Sequence, residues 1–329
     1  VTARAGDRFA NPVATDVMLR DHGGVIWRFL FERGEREPAR PLPVQPLSVA
    51  SLVAPPLDDV RVTWFGHSSV WLDVEGSSVL CDPVWSERSS PVSFAGPRRF
   101  HPPAIPLDQL PLPDVVLISH DHFDHLDETT IRTLASRGAR FVVPLGVGRW
   151  LAAWGVAADH VDELDWWQQR VIAPGRLTVV ATPARHFSGR GLFGRNRTLW
   201  TSYTLLGPTR RVYFGGDSGL FDGLREIGEK FGPFDLDLLE IGAYDPAWGD
   251  IHLGPVGAVT AHQMLGGKVL LPIHWGTFNL GLHAWYAPPE ELLVAATEKN
   301  VQLALPRIGA SFALAGEIPR ELWWRAVLK

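Results

Sequence analysis

The chain has 329 residues, 46% of them apolar, and a formal net charge of -5. This length buries a sizeable core as one large domain or two small ones. The mild acidity gives no global attraction to nucleic acid, so no nucleic-acid partner is expected. Cys81 is the single cysteine, which excludes an intrachain disulfide and leaves the fold independent of an oxidising compartment. A cytoplasmic location is the expectation, and because the first residue is Val1 and not methionine, an upstream targeting signal is compatible with it. The longest uncharged run, 269–289, is interrupted by Pro272, Gly276 and Gly281 and reads as broken structure, not as a membrane span.

Residues 1–57 read as an N-terminal arm, because Pro38, Pro41, Pro43, Pro46, Pro55 and Pro56 break any long element. Within it, 25–31 (VIWRFLF) is apolar enough to dock on the main body, which runs over 58–329. The body opens with short strands at 60–65, 69–74 and 78–80, separated by turns at Gly66-His67 and Glu75-Gly76-Ser77. A fully apolar strand core follows at 114–118, then a helical face of Ile131, Leu134 and Ala135 behind Asp127, which suits an N-cap. Further strands are predicted at 141–143, 177–181, 199–206, 211–214, 237–241 and 268–271. Helices are predicted at 146–154, 221–231, 255–265 and 288–298, the last with Pro288 and Pro289 at its start and Glu290 and Glu291 in its first turn. Strands and helices alternate with no tandem repeat, which sets the class as α/β or α+β.

The segment Ser119-His120-Asp121-His122-Phe123-Asp124-His125-Leu126-Asp127 leaves the strand at 114–118. It places three histidines and a carboxylate within six residues, and imidazole with carboxylate is the donor set of zinc and similar divalent ions. A loop can turn His120 and His122 to one ion and Asp124 and His125 to another, which a strand with its period of two cannot do. His186, Asp217 (within Gly215-Gly216-Asp217) and His274 (within Pro272-Ile273-His274-Trp275-Gly276) each follow a predicted strand. Strand ends are where ligands gather in α/β proteins.

This HxHxDH loop, followed by a lone His, a lone Asp after a glycine pair and a lone His, resembles the metallo-β-lactamase superfamily. Arg8-Phe9-Ala10-Asn11-Pro12, Thr63-Trp64-Phe65-Gly66-His67, Ile241-Gly242-Ala243-Tyr244 and Ile273-His274-Trp275-Gly276-Thr277-Phe278 resemble the branch of N-acyl-phosphatidylethanolamine-hydrolysing phospholipase D and its bacterial relatives. The resemblance implies a four-layer αββα sandwich with the metals at one edge of the two sheets. It also implies two Zn2+ ions, with manganese and iron suited to the same donors. His120, His122 and His186 would bind one ion, Asp124, His125 and His274 the other, and Asp217 both. Asp82 would brace the ligand loop from behind. His252 matches a histidine near the active site of the branch, so Asp124 and His252 are the expected catalytic residues, His252 contacting phosphate or protonating the leaving oxygen. His67 fits a motif of the branch and equally a packed histidine beneath the metals. His22, His101, His160 and His262 are expected to be structural.

The expected reaction is phosphodiester hydrolysis by a hydroxide held between two ions roughly 3.5–4 Å apart, on N-acyl-phosphatidylethanolamine or a smaller diester. Hydrolysis of a lactone, a β-lactam or another acyl compound is the rival, since the same hydroxide serves both. A di-iron oxidoreductase typically has a carboxylate where His122 stands, and a non-enzymatic scaffold would have lost ligands that are all present here. Departures from the branch are Asp121 and Phe123 within the ligand loop, Glu240 where an apolar residue or proline is usual, and Gly254-Pro255-Val256-Gly257 after His252. Arg190, Arg195 and Arg197 read equally as phosphate-binding groups and as a solvated loop. Peripheral membrane contact is expected from Trp150, Trp154, Trp166 and Trp167, which are close in sequence.

Overall fold

The computed structural model describes residues 2, 4–15, 35–172, 177–191, 194–245 and 248–328; the apolar stretch 25–31 and His22 lie outside them. The arm contributes a two-stranded hairpin, β1 (Arg4–Ala5) and β2 (Arg8–Phe9). Farther along, Leu42 and Leu52 are buried, and Gln45 donates its backbone N–H to Ile308 O at 2.8 Å, so the described parts of the arm lie against the body.

The body contains two sheets built on one plan. The first starts as an antiparallel meander of β3 (Val60–Trp64), β4 (Val70–Val74) and β5 (Ser77–Cys81). It continues in parallel through β6 (Val115–Leu117), helix α1 (Glu128–Ser136), β7 (Phe141–Pro144), helix α2 (Gly148–Ala153) and β8 (Val161–Leu164). The second repeats the scheme with β9 (Gln169–Ile172), β10 (Leu177–Thr182), β11 (Ser202–Leu206) and β12 (Arg211–Phe214). Helix α3 (Gly223–Phe231), β13 (Leu236–Glu240), helix α4 (Gly254–Leu265), β14 (Val269–Ile273), helix α5 (Ala287–Lys299) and β15 (Gln302–Leu303) complete its parallel half. The last strand, β16 (Ser311–Ala313), returns to the first sheet and pairs antiparallel with β3.

The residues account for this arrangement. Every residue of β6, β13 and β14 is buried, as parallel strands covered on both faces require. Val62, Leu72, Val79 and Leu117 of the first sheet share a core with Leu177, Val179, Tyr203 and Leu205 of the second, and that core continues to Leu224, Ala258 and Leu292 of α3, α4 and α5. Ile131 and Leu134 of α1 and Leu151 of α2 cover the outer face of the first sheet through Val116, Phe141 and Val143. The layers therefore run helix, sheet, sheet, helix. Helix α4 stops at Gly266, whose φ of 67° is the left-handed value that glycine supplies at a helix end. Among the described residues no helix is long and apolar enough to cross a membrane.

Each strand and helix predicted from the sequence is present, with shifted ends. The strand expected over 199–206 begins at Ser202, because Leu199 and Trp200 instead pack with Phe9 and Trp166 in a separate apolar cluster. Beyond β16, a 3-10 turn at Trp323–Val327 sets Trp323 and Trp324 against Trp275, with ring centroids 5.5 and 5.3 Å away. Trp275 stacks in turn on Trp64 at 5.3 Å.

Candidate metal centre

The chemistry-bearing side chains meet at the edge where the strands of both sheets end. The loop 119–127 leaves β6, Asp82 follows β5, His186 lies beyond β10, Asp217 beyond β12, Glu240 closes β13, and His274 follows β14. Three residues here carry a left-handed backbone without being glycine: His67 (φ 51°), Asp82 (φ 38°) and His274 (φ 63°). Such a conformation costs about 1–3 kcal/mol and persists where the surroundings impose it. Gly216, with φ 57°, is needed for close approach: a Cβ there would lie 2.7 Å from Cβ of Ser119. The glycine thus lets Asp217 reach the ligand loop.

All seven residues expected as ligands converge, in two groups. In the first, His120 Nε2 is 2.8 Å from His122 Nδ1, and His186 Nε2 is 3.4 Å from the same atom. In the second, Asp124 Oδ2 is 3.4 Å from His125 Nε2 and 3.3 Å from His274 Nε2. Asp217 stands between them. Its Oδ2 is 3.9 Å from His120 Nε2, 3.7 Å from His186 Nε2 and 3.1 Å from His274 Nε2, and its Oδ1 is 3.2 Å from His125 Nε2.

These atoms fit a pair of divalent cations. Zinc bonds of about 2.0–2.1 Å in a tetrahedron separate the donors by roughly 3.3 Å, which lies within the observed spread. His125 Nε2, His274 Nε2 and Asp217 Oδ1 are buried and make no hydrogen bond despite their proximity, an arrangement that is costly unless another partner is bound. The outer ring nitrogens of His120, His125 and His186 are tied back, as is usual for metal-ligating histidines, while His274 Nδ1 is buried without a hydrogen-bond partner. His125 Nδ1 donates to Asp82 Oδ2 at 2.7 Å and His186 Nδ1 to Ile251 O at 3.0 Å. His120 Nδ1 lies 2.9 Å from Ser119 Oγ, whose hydroxyl donates to Asp82 Oδ2 at 2.6 Å. Asp82 Oδ1 also accepts the backbone N–H of Ser119 at 2.7 Å, so this one carboxylate braces the ligand loop at three points.

Electrostatics follow from burial and mutual contact. Burial, helped by His125 and His122, pushes His120 well below the ordinary histidine range; burial does the same to His186. Both rings are therefore neutral, the form that binds a metal. Burial alone would raise Asp217, but His125 and His274 hold it well below the usual carboxylate range. His67 is buried, donates from Nε2 to Asp124 Oδ2 at 3.0 Å, and is pushed down to about 3 by burial and by His274. It is thus a packed ring hydrogen-bonded to Asp124, beneath the candidate centre.

His252 reaches the same edge. Its ring centroid is 5.1 Å from that of His186 and 5.6 Å from that of His274, and its Nδ1 is 2.5 Å from Glu240 Oε2. Of the histidines expected to be structural, His101 and His262 are buried and His160 is half-buried; all three are hydrogen-bonded away from the centre, to Thr277 and Pro102 O, to Asp237, and to Ala139 O. Asp127 stands at the N-cap position of α1, but its carboxylate caps no backbone N–H of the helix; it accepts from Trp85 N, Ser86 N and Ser86 Oγ of the loop after β5, and from Thr130 Oγ1. Asp121 points away from the metal donors and accepts from Gly189 N, Thr198 Oγ1 and Trp150 Nε1, so an acid is accommodated inside the HxHxDH loop.

Of the three arginines, Arg190 is engaged beside the ligand loop, while Arg195 and Arg197 are exposed and each has a partner. Arg190 donates from one nitrogen to Asp121 O at 3.0 Å and to Leu126 O at 2.6 Å, while its guanidinium lies 4.1 Å over Phe123. It clamps both ends of the ligand loop. Arg195 stacks on Phe187 at 4.6 Å, and Arg197 pairs with Asp7 at 3.3 Å. Of the tryptophans singled out for membrane contact, two are buried and two are half-buried. Trp154 and Trp166 are buried, Trp150 is bound to Asp121, and Trp167 packs on Phe231.

Two residues of the centre carried no assigned role in the sequence. Asn11 holds the main chain of His186 by two hydrogen bonds, from its Nδ2 to His186 O at 2.7 Å and from His186 N to its Oδ1 at 2.9 Å. Glu240 receives Ser218 N at 2.7 Å in addition to His252. The sequence signal for Glu240 is a charge after the apolar pair Leu238-Leu239; Asn11 lies in the segment Arg8-Phe9-Ala10-Asn11-Pro12, but its contact is with a residue 175 positions along the chain, which that segment does not encode.

Two mixed sheets flanked by helices, with a histidine–aspartate cluster at their common edge, define a metallo-β-lactamase fold. The family model described as "Beta-lactamase superfamily domain" matches residues 77–275. The chain belongs to that superfamily, in the branch of N-acyl-phosphatidylethanolamine-hydrolysing phospholipase D and its bacterial relatives, and is a metal-dependent hydrolase by membership. It is 46% identical over 305 residues to an uncharacterized protein of Mycobacterium tuberculosis, covering 92% of this chain and 80% of the relative. It is 39% identical over 241 residues to N-acyl-phosphatidylethanolamine-hydrolyzing phospholipase D 1 of Caenorhabditis elegans, covering 70% of this chain and 68% of the relative. Among solved structures, the metallo hydrolase Igni18 of Ignicoccus hospitalis superposes with a TM-score of 0.59 at 24% identity, over 78% of this chain and 98% of its own; at that identity the likeness speaks for the fold.

Proposed function

We propose that this protein is a binuclear zinc-dependent phosphodiesterase of phospholipase D type, acting on N-acyl-phosphatidylethanolamine or a smaller diester. The observation that carries the reading is the pair of donor groups that share Asp217, with His252 beside them. His120, His122 and His186 would hold one ion, Asp124, His125 and His274 would hold the other, and Asp217 would serve both. Bound there, two divalent ions supply an activated water and neutralise charge building on the phosphoryl oxygens. The chain's own residues do the rest. Asp82 and Asn11 fix the ligand loop and His186, His67 orients the Asp124 carboxylate, and His252 gives a proton to the departing alkoxide. The Caenorhabditis elegans relative, named for diester cleavage in a phospholipid, supports this substrate class over an acyl compound.

Elemental analysis and a pair of substrates test the reading. The purified protein is expected to carry close to two zinc ions and to hydrolyse bis(p-nitrophenyl) phosphate far better than nitrocefin, with chelation abolishing turnover. Preference for nitrocefin or a lactone would move the protein to the acyl-hydrolase reading, and undiminished hydrolysis in a protein without zinc, manganese or iron would end both. Among the described residues, the loop carrying Val92 and Phe94, the latter 82% exposed, is the lipid contact this reading offers. Liposome flotation with a Phe94→Ala control checks it, and a wild-type protein that stays wholly unbound argues against surface contact.

A further inference from the structure

Glu240 closes β13 with a fully buried side chain in the middle of the proposed centre. Its carboxylate lies near Asp217 and His274, yet a nitrogen already faces each of its oxygens. Oε1 accepts Ser218 N at 2.7 Å and Leu253 N at 3.3 Å, and Oε2 faces His252 Nδ1 at 2.5 Å. Ser218 follows Asp217, and Leu253 follows His252. One carboxylate thus pins the loop of the shared aspartate to the loop of the candidate proton donor. A buried carboxylate requires such donors, and hydrogen bonds to it are short and directional.

We propose that Glu240 is a positioning residue for His252: it accepts the Nδ1–H of the imidazole, fixes the ring orientation, and leaves Nε2 as the nitrogen that meets a reacting group. Resting on the hydrolase reading above, the inference gives a role to a charge that closes an otherwise apolar strand end. On this proposal the carboxylate is the acceptor of the bridge and the proton sits on the ring. Which nitrogen of a histidine works is set by the hydrogen bond made by the other.

Glu240→Gln separates positioning from mere packing, because the two side chains have nearly the same shape. The amide oxygen can keep Ser218 N–H and Leu253 N–H. The amide nitrogen then faces His252 as a donor, so Nδ1 must become an acceptor and the proton moves to Nε2. Nitrogen-15 NMR of the His252 ring, in metal-free and zinc-loaded protein, should show Nδ1 protonated in the wild type and unprotonated in the variant. On a diester with a poor alkoxide leaving group, kcat of Glu240→Gln should fall about 10²-fold, with KM and metal content unchanged. His252→Ala and the double variant should fall by the same factor, because residues acting through one another do not add. An unprotonated Nδ1 in the wild type overturns the proposal, as does a double variant in which the two losses multiply in full. The wild-type spectrum decides the first point even if the variant does not fold. A wild-type protein that cleaves no diester removes the hydrolase reading while the spectrum still judges Glu240.

Discussion

Asn11 and His186 are joined as an amide is joined to a neighbouring strand: one hydrogen bond runs from the side chain to the main-chain carbonyl at 2.7 Å, and one returns from the main-chain N–H at 2.9 Å. The proposed ligand is thereby held by the arm and not only by its own loop. Partners of this kind, one step removed from a metal, typically change affinity by 10–100-fold. Asn11→Ala should weaken zinc binding at the His120, His122 and His186 group by about that factor, read by competitive metal titration. Asn11→Asp keeps the acceptor and loses the donor, so it should fall between the two. Unaltered affinity in both variants would make the contact a feature of the arm alone.

Asp217 faces both donor groups, from 3.1 to 3.9 Å. Asp217→Ala should therefore lower the occupancy of both ions together, where His186→Ala should chiefly empty one. Stoichiometry by elemental analysis distinguishes these outcomes. A variant that retains two ions would show that the groups are independent.

Arg190 spans Asp121 O and Leu126 O, the two ends of the ligand loop. A lysine ammonium lacks the planar fork of a guanidinium, so Arg190→Lys and Arg190→Ala should both loosen metal binding, by about 10-fold or more, before they affect substrate binding. If KM for a diester rose instead while metal affinity stayed constant, Arg190 would be a phosphate contact.

His101 offers a pH test away from the centre. Its Nδ1 donates to Pro102 O at 2.8 Å and its Nε2 lies 3.1 Å from Thr277 Oγ1. Burial, aided by Arg99, lowers its pKa from 6.5 to about 3. The unfolded chain takes up this proton at higher pH than the folded one, so the contribution to stability is full above about 6.5 and is lost as pH falls toward about 3. The amount is on the order of a few kcal/mol. Urea midpoints of the wild type should drop on acidification more steeply than those of His101→Gln, and parallel curves would contradict the assignment.

The ligand loop was legible because its residues are neighbours in sequence and chemically conspicuous, and the parallel strands because their apolar runs are continuous. What escaped lacked a local pattern. In β8 (VDEL) and β9 (QRVI) only Leu164 is buried, so no hydrophobic period marks them. The strand β15 has two residues, and β16 is identified only by its pairing with β3 across the whole body. Asn11, Glu240 and Arg190 were unassigned or ambiguous for the same reason. Their roles lie in contacts with distant backbone or with other polar groups, which composition and spacing do not encode. The contacts of Trp150 and Trp167 likewise depend on partners, Asp121 and Phe231, that are remote in the chain.

Cys81 ends β5, fully buried between β4 and β6 and one residue before Asp82. Burial, with Asp82 beside it, pushes its thiol well above the ordinary range, and the thiolate is the reactive form. Alkylation must therefore wait for the ladder to open. With one thiol in the chain, the labelling rate is a clock for a single event, the parting of the first sheet behind the ligand loop. It reports the kinetic stability of that sheet with no introduced probe.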